Sequence, residues 1–278
     1  MTTLLAIPNV SEGRDRDAIA AIGEAFASTG ARLLDVHADA DHHRSVFTLA
    51  GRPGQLAPAL AAGAREVLRR VDLRAPRGAH PHVGALDVAP VVHLDDACRG
   101  AACADALVAA DLLGELGLPV YLYGPLAEGR TRAQLRRAGA LDALAPDFGP
   151  AERAAEHGAV LVAARPPLVA FNLELAPPAT PEDARRVAAL VRQGGADGLP
   201  GVRALGIALR GGVAQVSTNV EDHRAVPLAR LLDAVARHAP VAGAELVGLA
   251  PRAAFDGWPR DVAVRNRRTV EDALASLE

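Results

Sequence analysis

The chain has 278 residues, half of them hydrophobic, so it can bury a core without disulfide or metal staples. A net charge of −3 and only 3% aromatic residues exclude a general nucleic-acid binder, which needs a basic face and stacking platforms. No eighteen apolar residues run together, which excludes an apolar membrane-spanning helix.

In chain order, an apolar run from Thr3 to Ile7 reads as a strand. A helical pattern with Ile19, Ile22 and Phe26 on one face follows, closed by Gly30. Extended segments are expected over Arg32–Val36 and Arg44–Ala50, a helix over Gln55–Val71 and a strand over Ala85–His93. The order is β-α-β-β-α-β, the split βαβ arrangement. A helix over Ala101–Leu116 and strands at Val120–Tyr123 and near Ala159–Ala163 extend this unit. Cys98 and Cys103 read as two free, helix-buried thiols.

The same order then returns. Leu168–Leu173 reads as a strand, and Thr180-Pro181-Glu182-Asp183 as a helix start, with a hydroxyl cap, proline in the first turn and acids at the positive end of the dipole. Val187, Leu190 and Val191 supply the buried stripe. Arg203–Leu209 and Val213–Thr218 flank Gly211-Gly212, a two-residue hairpin signal. Leu228, Leu231, Leu232 and Val235 mark a further helix and Glu245–Leu249 a last strand. The expected fold is α+β, two split βαβ (ferredoxin-like) subdomains over 1–166 and 167–278, divided where the proline pair Pro166-Pro167 breaks regular structure. The N-terminal MTTLLAIPNVSEG has no basic region ahead of a long apolar one, so a soluble, cytoplasmic protein is expected.

Nine histidines are present, and five fall in two windows: His37, His42 and His43 in DVHADADHHR, and His80 and His82 in RGAHPHVGALDVAP. Both windows lie at strand ends of the first unit, where a rigid sheet positions functional groups. Imidazoles and carboxylates are metal ligands, but the spacing fits no ligand motif, and no metal is expected. Acid-base chemistry by one histidine suits the windows better, because imidazole both takes and gives a proton near neutral pH.

The segments IPNVSEGRD (7–15), LLDVHADADHHRSVFTLAG (33–51), GAHPHVGALDVAPV (78–91), PVYLYG (119–124), APDFGP (145–150), AFNLEL (170–175), AQVSTN (214–219) and ELVGLAP (245–251) occur in an order that resembles the formiminotransferase domain of glutamate formimidoyltransferase, which is also the N-terminal part of formiminotransferase-cyclodeaminase. That resemblance implies tetrahydrofolate bound in a cleft between the two subdomains and transfer of a formimino group from N-formimino-L-glutamate to its nitrogen 5. It implies tetrahydrofolate as a co-substrate rather than a tightly held cofactor, no nucleic-acid or membrane partner, and a homodimer. The family's catalytic histidine falls on His80; the family aspartate that assists it falls on His37, which leaves Asp39, Asp35 or none as its partner, and His37 and His80 are expected to share one pocket. Substrate and folate contacts fall on His82, Arg44 and the segment Gly158, Ala159, Val160, Leu161, Val162, Ala163, Ala164 and Arg165. The chain departs from the family pattern in carrying His37 for an aspartate, Ala79 for a glutamate, His82 for an arginine and Pro166 for a lysine. Another formimino or amidine substrate, its hydrolysis, or non-catalytic folate or metal binding are the alternatives.

Overall fold

The computed structural model describes residues 2–74 and 82–276, and of Arg210 the backbone only. Contacts divide the chain into two compact units, Met1–Pro166 and Pro167–Glu278. Each is an α+β structure with its own sheet and its own apolar core.

The first unit runs β1 (Leu4–Ala6), β2 (Asn9–Val10), α1 (Arg16–Ala27), β3 (Arg32–Asp39), β4 (Arg44–Gly51), α2 (Leu56–Arg70), β5 (Leu86–His93), α3 (Arg99–Glu115), β6 (Val120–Leu122), α4 (Arg132–Leu135) and β7 (Val160–Arg165). The expected first strand is two pieces, because Pro8 has no N–H to give to a ladder. Its carbonyl still accepts from Phe47, at 3.1 Å or less, as Ile7 donates to Pro90. These two pieces sit between β4 and β5, both antiparallel to them, with β3 beyond β4. This is the strand order of a split βαβ unit, extended by β7 parallel to β5 and by β6 parallel to β7. Leu4, Ala6, Val10, Phe47, Leu49, Leu86, Ala89 and Val91 meet Ile22, Phe26, Leu60, Val67 and Leu113 from the helices.

The opposite sheet face is covered only in part. Tyr121, Tyr123, Val88, Leu161 and Ala163 bury against Leu135 and Leu141 from the connection between β6 and β7. The short α4 in that connection escapes the sequence reading; it is started by a capping box in which Thr131 and Gln134 exchange hydrogen bonds.

The second unit runs β8 (Val169–Leu175), α5 (Pro181–Val191), β9 (Val202–Ala208), β10 (Ala214–Val220), α6 (Leu228–Ala236), β11 (Val241–Val247), β12 (Val264–Arg265) and α7 (Val270–Ala275). Its order β12-β11-β8-β10-β9 again places the first strand between the third and fourth. Thr180 and Asp183 form the expected reciprocal cap. The β9–β10 hairpin is one residue longer than expected. Leu209 and Val213 close it, leaving Arg210-Gly211-Gly212 as the turn, with both glycines in the left-handed region. Val169, Phe171, Leu173, Val187, Leu231 and Trp258 belong to this unit's core.

Candidate active site

The β3–β4 hairpin closes on the facing pair Asp39 and Arg44. Asp39 turns its Oδ1 back to accept from the backbone N–H of Asp41 (2.8 Å) and His42 (2.9 Å), the local bonding that lets an aspartate build a turn. Its Oδ2 accepts from His42 Nδ1 at 2.6 Å. Burial pulls the Asp39 carboxyl upward, but the side-chain and backbone hydrogen bonds from His42, and that from Asp41, outweigh it and hold the group well below the usual carboxylate range. The His42 ring is the buried partner of this pair, 2% exposed.

His43 adopts the left-handed conformation, φ 50°, which brings its ring back over the segment following β2. Its Nδ1 accepts from the Gly13 N–H at 3.2 Å, so the neutral ring carries its proton on Nε2. Gly13 is required there, since a Cβ would run into Asp39 O and Arg44 N. The Glu12 carboxylate lies 3.4 Å from the same ring nitrogen and accepts from the backbone of Arg14 and Asp15. Burial lowers the His43 pKa and Glu12 raises it, while Arg14 and His82 lower it further; the outcome lies below the ordinary histidine value.

Alternation along the strands places Asp35, His37 and Asp39 of β3 on one face with Arg44, Val46 and Thr48 of β4, away from Phe47 and the helices. His37 faces Val46, which in turn faces Asn9. It is half-buried, and so is His82. His82 Nε2 is buried with no hydrogen-bond partner among the described residues. Just after it, the Val83 N–H donates to Asp87 Oδ1 at 2.7 Å, and Arg136 pairs with the other oxygen. Gly84 lies so close to Ala159 that a Cβ would collide with its carbonyl, and Ser11 fastens the same stretch by bonding Gly84 O and Ala85 O, each at 2.8 Å. Burial pushes the Arg44 guanidinium down to about 10 against the pull of Asp87 and Asp39, with Arg136 and Arg132 adding to the push; it stays charged at neutral pH.

The residues named from the sequence therefore divide. His37, Asp39 and Arg44 share one face of the first unit's sheet, and His82 is near enough to the hairpin to act on His43. His80 lies outside the described residues, as does Ala79. Ala159, Val160, Leu161, Val162, Ala163 and Ala164 are at most 2% exposed, because β7 is an interior strand whose side chains fill the core on both faces. A Cβ at Gly158 would run into Val83 O. Arg165 pairs in register with Val92, at the other end of the strands from Arg44, about 20 Å along the sheet direction. Asp39, read as the partner of a catalytic histidine, gives one carboxylate oxygen to the His42 ring. The Asp-x-x-His spacing across a turn is the signal that could have found this. Nothing in the sequence marks Arg136, since only the fold brings it to Asp87. Among the described residues no three His, Cys, Asp or Glu side chains converge as a metal site.

Comparison with known proteins gives two adjoining matches. Residues 3–165 match the formiminotransferase domain, N-terminal subdomain, and residues 170–257 match the formiminotransferase domain. A formimidoyltransferase-cyclodeaminase of Sus scrofa is 38% identical over 273 residues, 88% of this chain and 49% of that protein. The chain thus spans about half the length of these first relatives. A glutamate formimidoyltransferase of Thermoplasma acidophilum is 33% identical over 92% of this chain and 90% of its own length, and one of Streptococcus pyogenes serotype M1 is 32% identical over 90% and 89%.

Proposed function

Because the chain belongs to the formiminotransferase domain family, we propose that it transfers the formimino group of N-formimino-L-glutamate to tetrahydrofolate, yielding 5-formimino-tetrahydrofolate and L-glutamate. The observation that carries this reading is the match, over nearly the full length of both partners, to proteins named glutamate formimidoyltransferase.

The chemistry asks for position and protons. Nitrogen 5 of the folate attacks the amidine carbon, a tetrahedral intermediate forms, and the bond from that carbon to the glutamate nitrogen breaks. The attacking nitrogen loses a proton and the departing amine gains one. His80 is the group assigned to this exchange by resemblance to the family, a role worth about 10²–10⁴ in rate for a well-placed acid-base. Approximation of two bound substrates supplies more, on the order of 7–11 kcal/mol in favourable cases. His37, half-buried on the sheet face away from the helices, is the second imidazole of the site. Asp39 acts through His42 as a positioning residue that fixes the hairpin. Tetrahydrofolate enters and leaves as a co-substrate.

The test is direct. Purified protein given formiminoglutamate and tetrahydrofolate is expected to form 5-formimino-tetrahydrofolate, and His80→Gln is expected to abolish that turnover while leaving the circular dichroism spectrum unchanged. Absence of product from the unmodified chain would remove the reading. Undiminished turnover in the variant would remove only the role of His80.

A further inference from the structure

One row of facing residues crosses the first unit's sheet on the side away from the helices. His37 on β3 pairs with Val46 on β4, Val46 with Asn9 on β2, Asn9 with Val88 on β5, and Val88 with Leu161 on β7. At about 4.8 Å from strand to strand, the backbones of His37 and Asn9 stand about 10 Å apart. Thr48 follows Val46 on the same face of β4, opposite Asp35, and is a diagonal neighbour of Asn9 at about 7–8 Å.

Asn9 Oδ1 and Thr48 Oγ1 are both buried with no hydrogen-bond partner among the described residues. Asn9 stands between Val46 and Val88, 6% and 1% exposed, so neither strand beside it faces it with a donor side chain. The charged groups of the face, Asp35, Asp39 and Arg44, and the His37 ring all leave these two oxygens unbonded. A buried acceptor without a donor destabilises the fold, and an apolar side chain of the same shape would avoid that cost. Two such acceptors as neighbours on one face call for N–H groups from outside the chain.

We propose that Asn9 and Thr48 bind the formimino group itself, its terminal nitrogen giving one N–H to Asn9 Oδ1 and the other to Thr48 Oγ1. The assignment rests on the function proposed above. A protonated amidine is planar, carries N–H groups on both nitrogens and has no lone pair left to accept with, so a pair of acceptors fits it. The same pair sets specificity. N-formyl-L-glutamate has a carbonyl oxygen where the formimino compound has its terminal nitrogen, and that oxygen would meet Asn9 Oδ1 with no hydrogen between them.

Asn9→Leu and Thr48→Val test this, each replacing the polar group by an apolar one of similar shape. Steady-state kinetics are measured with formiminoglutamate and tetrahydrofolate varied in turn. In each variant kcat/KM for formiminoglutamate is expected to fall about tenfold or more, with KM for tetrahydrofolate unchanged. The melting temperature is expected to stay level or rise, because an unbonded buried oxygen has been removed. The native chain is expected to bind N-formyl-L-glutamate, added as a competitive inhibitor, far more weakly than the formimino compound, and both variants to narrow that preference. Unchanged kcat/KM in both variants, or an effect confined to tetrahydrofolate, would overturn the proposal. A marked fall in melting temperature in both would also overturn it, since the two groups would then serve the fold.

Calorimetric titration with formiminoglutamate and with N-formyl-L-glutamate separates the site from the reaction. A chain that forms no 5-formimino-tetrahydrofolate yet prefers the formimino compound, with the preference lost in the variants, would sink the reaction and retain the site. Full turnover in both variants would sink the site and retain the reaction. A chain that neither turns over nor prefers the formimino compound would remove both.

Discussion

Asp39 shows how one side chain sets a local geometry. Its carboxylate makes three hydrogen bonds within its own turn, and each requires the ionised form to be at its best. Asp39→Asn removes the charge-assisted bond to His42 and is expected to cost about 1 kcal/mol, after discounting for the partly exposed position. The pH dependence has a definite sign. A carboxyl whose folded pKa is depressed contributes stability above the ordinary aspartate value, and this contribution is lost as pH falls through and below it. Urea melts at stepped pH should therefore show the native chain losing stability on acidification more steeply than Asp39→Asn; parallel curves would refute the assignment. The residue scale is also where sequence reading stopped short. It located the histidine windows from their clustering along the chain, but the Asp39–His42 bond, at 2.6 Å, was decided by a turn.

At the scale of elements, the hairpin and the segment after β2 are held together by backbone proximity at Gly13. Gly13→Ala has to push Asp39 O or Arg44 N aside, moving the hairpin that carries both site residues. The expected result is a lower melting temperature together with a fall in turnover that restoring conditions of temperature does not reverse; a variant equal to the native chain in both would show the approach to be slack. Element order was legible because strand and helix periods differ, and both β-α-β-β-α-β series were read correctly from them. The elements missed were short: α4, β12 and α7 have four, two and six residues, too few to show a period. Burial of β7 on both faces was equally hidden. Its run VLVAAR is what an interior parallel strand looks like.

For the molecule as a whole, the two sheets share no strand, and each unit closes its own split βαβ order around its own buried cluster. No helix among the described residues is long and apolar enough to cross a membrane. Residues 167–278, produced alone, are therefore expected to fold, with one cooperative thermal transition reported by Trp258, the chain's single tryptophan, which stacks edge-on against Phe171 at 5.2 Å. A broad, non-cooperative loss of that fluorescence would mean that the division by contacts is no division in folding.

The position of β1 and β2 between β4 and β5 carries a consequence for how the polypeptide is made. β1 is an interior strand of the finished sheet made before both of its neighbours, and it must wait with both edges open until the segments on either side of it have been synthesised. The wait for the sheet's far side is longer still, since Val88 finds Leu161 only after the whole β6 connection has emerged. Nascent chains arrested before β7 would then expose β5 as an unpaired apolar edge, the kind of surface that chaperones bind and that neighbouring chains on a polysome can seize.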